Sequence, residues 1–167
     1  MKAEQAALVL DGSSPAALNG LGLLNADAGR ASQAAEYFES AATRDPSNAS
    51  YWTNLGNARR EEGNLPAAEG AYRRALEADP KYSDAANGLG VLLVQQNKSS
   101  DAIPWFQKAL QQSPDFHEAR LNLGIAYQQS GDVEKARAAF QEVLAKAPKT
   151  MKRERQAAQE LLNGSRR

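Results

Sequence analysis

The chain is 167 residues long, 42% hydrophobic and 24% charged, with 20 Lys and Arg against 20 Asp and Glu. Those proportions exclude a disordered, collagenous or membrane-embedded chain and leave no net charge with which to attract nucleic acid or an anionic surface. No cysteine is present, which excludes disulfides, thiolate metal sites and thiol catalysis and leaves the redox compartment open.

Leu21-Gly22, Leu55-Gly56, Leu89-Gly90 and Leu123-Gly124 recur every 34 residues, the mark of a stacked helical array. The same step carries Ala34, Ala68, Ala102 and Ala136, then the aromatics Phe38, Tyr72, Phe106 and Phe140. It also carries Ala41, Ala75, Ala109 and Val143, and the prolines Pro46, Pro80, Pro114 and Pro148.

In chain order, residues 1–14 come first. Ala7-Leu8-Val9-Leu10-Asp11 is in register with Ala75-Leu76-Glu77-Ala78-Asp79, so residues 2–10 read as the second helix of a truncated copy. Its apolar edge of Ala6, Leu8 and Leu10 is an expected route to self-association. Broken by Glu4 and Gln5, this run is too short and too polar for a signal peptide or a membrane span. Four full copies follow at 15–48, 49–82, 83–116 and 117–150. Stripes at three- and four-residue steps, such as Trp52, Leu55 and Arg59 and then Ala68, Tyr72, Ala75 and Leu76, predict two helices per copy and no strand. Gly29, Gly63, Asn97 and Gly131 stand where the first helix must stop, because Gly and Asn tolerate a left-handed C-cap. Pro66 suits the start of the second helix. Pro104 is expected within a first turn capped by Ser99 or Ser100. Small residues in the Gly22 and Ala34 columns let the paired helices approach, and the Phe38 column fills the space beyond them. Residues 151–167 close the chain with a charged helix, Met151 to Leu162, that has Ala157-Ala158 in place of Leu-Gly and suits a polar cap. From Lys146 onward seven Lys or Arg face two Glu, a solvated basic end.

From residue 15 to 150 these columns resemble the tetratricopeptide repeat, with Trp52 alone in the family's Trp column and Tyr127 alone in its second-aromatic column. The resemblance implies an all-α, right-handed α-α superhelix, or solenoid, of helix-turn-helix units whose first helices line a concave groove. It also implies a non-catalytic scaffold for protein partners. The alternative is a structural spacer or self-association segment of a larger protein.

On that basis the groove residues are those on the polar side of each first helix. Asn19, Asn54, Asn87 and Asn122 give one carboxamide per copy, although Asn is a middling helix former. A carboxamide both donates and accepts, as an extended peptide backbone requires. The arrangement is similar to the asparagine ladder of the superhelical repeats in O-linked N-acetylglucosamine transferases. Two readings stand at this point: the Asn residues hold a ligand, or they bridge helices of their own array. Further along the same side come Leu23, Asn57, Val91 and Ile125, then Arg60, Val94 and Gln128. Val91, Val94, Leu121 and Ile125 form an apolar patch for a side chain or an amphipathic helix, unless the array's own helices cover it. Asp84 and Glu118 stand where a carboxylate-clamping member of the family needs Lys. Against nucleic acid, Arg60 is outnumbered by Asp27, Glu61, Asp84 and Glu118.

No catalytic site, metal site or cofactor site is read. His117 is the only histidine and opens a copy, as a surface or cap residue. Paired carboxylates such as Glu61-Glu62 do not face each other on a helix, and no strand precedes a glycine-rich phosphate loop. A protein or peptide partner is expected, with no nucleic acid and no membrane. The compartment is not fixed by the sequence: a soluble, cytoplasmic protein is favoured, with periplasmic or secreted origin left open because the N-terminus reads as truncated.

Overall fold

The computed structural model describes residues 14–164, so the half-unit expected at 2–10 lies outside the described residues. The described residues form helices and no strand. The helices are α1 (Pro15–Asp27), α2 (Ala31–Arg44), α3 (Ala49–Glu61), α4 (Leu65–Ala78), α5 (Ser83–Gln95), α6 (Ser99–Gln112), α7 (His117–Gln129), α8 (Val133–Lys146) and α9 (Lys152–Gly164). None of them is long and apolar enough to cross a membrane.

Short polar residues start several helices by taking up first-turn amides that have no intrahelical partner. Ser14, Asn48, Asn64 and Asp132 accept from the backbone N–H of Ala17, Ser50, Ala67 and Lys135. The link from each first helix to its second is the same motif four times. Gly29, Gly63, Asn97 and Gly131 have positive φ, and the N–H of the next residue reaches back to the carbonyl of Asn25, Arg59, Leu93 or Tyr127. This hook satisfies the last carbonyls of the first helix and turns the chain sharply.

Two sequence expectations are corrected here. Pro104 lies at the sixth residue of α6, past the first turn, and Ser99 is the first helical residue rather than a side-chain cap. The Ser100 carbonyl that loses its partner belongs to an exposed residue and is open to solvent. His117 is not on the surface: it is 7% exposed, and its buried Nδ1 has no hydrogen-bond partner. A residue that opens a helix aims its side chain back over the preceding turn, so opening a helix does not keep it in solvent.

The described chain divides into two compact units, with the division inside α5 between Gly88 and Leu89. In the first unit Phe38 of α2 lies on Gly22 of α1 and packs with Ala34, Leu55, Ala58 and Ala71. Tyr72 of α4 is fully buried between two glycines, Gly56 of α3 and Gly88 of α5. A Cβ on Gly56 would sit 2.6 Å from the Tyr72 ring. Arg59 of α3 ties this unit's helices together by pairing with Glu39 of α2 at 2.7 Å and Glu62 at 3.0 Å. In the second unit Phe106 of α6 lies on Gly90, and Phe140 of α8 lies on Gly124 of α7. The Phe140 cluster, with Leu121, Val143 and Ala147, runs on to Ala158 and Leu162, so α9 closes that core with its apolar side.

The packing generates two predictions. Gly56→Ala forces a methyl into the Tyr72 ring and should destabilise by about 1–3 kcal/mol, the usual range for overpacking. Gly70 lies mid-helix, and a methyl added there would meet nothing within 4 Å; Gly70→Ala should therefore stabilise by about 0.5–1 kcal/mol. Denaturant midpoints of both variants check the pair, and equal effects would contradict it. The second concerns pH: a hydrogen bond from Ser32, with Arg59 beside it, holds the Glu62 carboxyl below its ordinary value. Its contribution is present above the unfolded carboxylate range of about 4.3 and is lost as pH falls through the lowered folded value. The stability gap between wild type and Glu62→Gln should thus be full at neutral pH and close in acid, whereas a pH-independent gap would refute the pairing.

Candidate functional site

Each first helix carries two opposed stripes. Side chains at steps of three and four share a face, so Trp52, Leu55 and Arg59 fall on one side of α3, toward the second helices, and Asn54, Asn57 and Arg60 fall on the other. The candidate site is that second side in each unit, carried in the first by α1, α3 and the start of α5 and in the second by the rest of α5 and α7.

In the first unit it is polar. Asn54 of α3 donates from Nδ2 to Oδ1 of Asn19 on α1 at 2.8 Å, so this pair bridges two first helices directly. The bond uses one of the donors of Asn54 and one acceptor lone pair of Asn19, and leaves the remaining carboxamide capacity facing outward. Leu23, one turn beyond Asn19, is 46% exposed. Asn57 is exposed, and its Oδ1 accepts from the Tyr72 hydroxyl at 2.7 Å. Burial pushes the Tyr72 phenol up, and the Arg60 guanidinium beside it offsets part of that rise. Arg60 is half-buried with no carboxylate partner, and its Nε makes no hydrogen bond. With one lone pair of the Asn57 oxygen already used, this corner presents more donors than acceptors, amide N–H groups and a guanidinium, and so favours an incoming carbonyl or carboxylate oxygen. Asn87, on the first unit's part of α5, is buried at 7% exposure and engaged in an interaction of its own.

In the second unit the same side is mostly apolar. Val91 and Val94 are half-buried against the Phe106 cluster, while Leu121 is buried in the Phe140 cluster with Ile125 packed on it. The array's own helices therefore cover much of this patch, and only the half-buried Val91, Val94 and Ile125 keep part of their surface. Asn122 and Gln128 are half-buried polar neighbours, each with a partner interaction.

The Tyr72 hydroxyl is a member of this site that the sequence reading does not include. Its signal is the one Tyr in a column otherwise of Phe, since a hydroxyl in a buried ring needs a partner at its wet end. Among the described residues no three His, Asp or Glu side chains gather as a metal would require. Tyr72→Phe should keep the ring's packing and lose the hydroxyl's bond to Asn57 and its interaction with Arg60, about 0.5–1.5 kcal/mol for each by chemical denaturation. A loss beyond their sum, in the range of a large-to-small core change, would show that the ring itself had moved.

Two tetratricopeptide-repeat family models match the chain, one over residues 2–49 and 53–115 and the other over 93–162. Among solved structures, the crystal structure of MamA is 27% identical with a TM-score of 0.74, over 90% of this chain and 88% of that one. A second crystal structure of MamA protein is likewise 27% identical, with a TM-score of 0.72 over 91% and 83% of the two chains. A thermophilic TPR protein of Thermus thermophilus superposes with a TM-score of 0.83 over 96% of this chain and 87% of that one; at 22% identity it speaks for the fold. No protein of curated function matches the sequence.

Proposed function

The chain belongs to the tetratricopeptide-repeat family, and from that premise we propose that it is a non-catalytic scaffold that holds an extended segment of a partner protein along the polar side of its first helices. The observation that carries this reading is the donor-rich corner of the first unit. There Asn19, Asn54, Asn57 and Arg60 line one side, and Tyr72 already uses one lone pair of the Asn57 oxygen. A polypeptide laid across such a surface supplies a carbonyl oxygen at every residue whatever its side chains, so recognition rests on the main chain. In the second unit the half-buried Asn122 adds a carboxamide and the half-buried Val91, Val94 and Ile125 give an apolar side chain somewhere to rest, whereas Asn87, expected in the groove, is buried and drops out of the site.

A structural role is the second reading, and the Asn54 to Asn19 bond favours it, since an Asn that bridges two helices serves the array without any ligand. The two readings part on an experiment in which the protein is left untouched. Extended peptides recovered from a display library should bind, and N-methylation of their backbone amides should weaken binding by about 0.5–1.5 kcal/mol for each hydrogen bond removed. In the companion measurement, Asn54→Ala/Asn122→Ala should reduce the affinity of the folded protein by about 1–3 kcal/mol if the two sites are independent. Unchanged affinity for N-methylated peptides and for the double variant, with only the melting temperature lowered, would leave the structural reading standing.

A further inference from the structure

The opposite stripe of the first helices carries a cleft in each unit, and the two clefts are built to one plan. In the first unit Trp52, Leu55 and Arg59 of α3 form the floor of a space of about 390 Å³, walled by α4 and by Glu39 of α2. In the second, Arg120, Leu123 and Tyr127 of α7 form the floor of a space of about 310 Å³, walled by α8 and by Leu110 of α6. The floor residues correspond at a shift of 68 residues, two periods of the repeat, and so do the α4 wall of Gly70, Ala71 and Arg74 and the α8 wall of Ala138, Ala139 and Glu142. Each floor places one aromatic and one arginine on either side of a leucine, in opposite order. The same columns hold Leu18 and Asn25 in α1 and Ala86 and Leu93 in α5, so those helices lack the combination.

Two further features point outward. Gly70 is exposed in the middle of α4, and nothing in the chain comes within 4 Å of where its Cβ would be. A mid-helix glycine costs about 0.8–1 kcal/mol against alanine, and here no internal packing requires it; its effect is to widen the cleft. Each rim also carries one solvent-exposed cation. Arg74 pairs with Glu77 at 3.4 Å and Lys135 with Asp132 at 2.6 Å, both exposed pairs within a single turn, of the kind that contributes little and exchanges partners readily. The floor arginines are held, Arg59 by Glu39 at 2.7 Å and Arg120 by Glu142 at 3.1 Å, so in each lining the rim cation, Arg74 or Lys135, is the charge left over; Lys135 lies 5.4 Å over the Tyr127 ring.

We propose that these clefts are docking sites for a protein segment that inserts one large apolar or aromatic side chain over the central leucine and sets a carboxylate against the rim cation. The volume suits one such side chain, an aromatic or guanidinium face flanks it for stacking, and the rim selects negative charge. This surface is separate from the peptide-binding side, so its test stands apart from that reading.

The probe is the capped dipeptide N-acetyl-Phe-Glu-amide, with N-acetyl-Phe-Lys-amide as its charge-reversed control, titrated into the isotope-labelled chain and followed by NMR. Shifts are expected at the Trp52 indole and the Gly70 amide in one unit and at Tyr127 and Ala138 in the other, with the Lys dipeptide at least about tenfold weaker. Gly70→Glu, at an exposed helical position, fills the first cleft and should weaken the probe there about tenfold while leaving the second cleft unchanged; Ala138→Glu should do the reverse. Arg74→Glu gives an independent check on the first rim, and Asn54→Ala should have no effect on either cleft. The proposal is overturned by no cleft shifts at about 10 mM probe, by equal affinity for the two dipeptides, by indifference to Gly70→Glu and Arg74→Glu, or by shifts confined to the Asn54 side.

Discussion

The fold of the described residues hangs on an aromatic ring of a second helix packed by one edge against a glycine of a first helix. Phe38 on Gly22, Tyr72 on Gly56, Phe106 on Gly90 and Phe140 on Gly124 repeat the arrangement at the period of the sequence. A helix with a bare backbone at that point admits a ring where no other residue leaves room, which draws the two axes together and buries the largest side chains of the core. Interior glycine is a poor choice for a helix on its own terms, so the close approach has to outweigh the propensity given up. The small Ala34, Ala68, Ala102 and Ala136 columns, all essentially inaccessible, serve the same approach from the other helix.

Once that ring sets the rotation of each first helix, the helix's remaining surface is divided. The stripe of Leu55 and its equivalents faces the second helices, and the stripe of Asn54 and its equivalents faces away from them. The first stripe is core, with Leu55, Leu89 and Leu123 all buried, so it is the exposed part of the second that is left open to specialise. The polar side does so through carboxamides, the Tyr72 hydroxyl and Arg60 in the first unit and through half-buried Val91, Val94 and Ile125 in the second. Tyr72 links the two levels of the structure: its ring is core between Gly56 and Gly88, while its oxygen orients Asn57 at the surface.

The repeat, the two-helix unit, the turns and the packing columns are legible in the sequence because each depends on local chemistry that returns every 34 residues. Asn97 can be read as a helix stop in place of Gly, and its φ of 60° is the left-handed one required. What cannot be read depends on how helices meet. The bond that brings Asn54 within 2.8 Å of Asn19, across 35 residues, depends on how α1 and α3 pack and not on either residue's own helix. The same holds for Leu121, which sits on the polar stripe by count yet is buried because α9 and Phe140 close over it. Pro104 and His117 mislead for a simpler reason: the exposure of Ser100 and the aim of a first helical residue are properties of the folded surroundings.

If the ring-on-glycine packing governs the fold, the two partners must be strongly coupled, and a double-mutant cycle on Gly124 and Phe140 measures that coupling. Gly124→Ala alone should destabilise by about 1–3 kcal/mol, because the methyl has no room under the ring. In a Phe140→Leu background, where the ring edge is gone, the same substitution should cost nothing or stabilise by about 0.5–1 kcal/mol through helix propensity alone. Additive effects of the two substitutions would contradict the account.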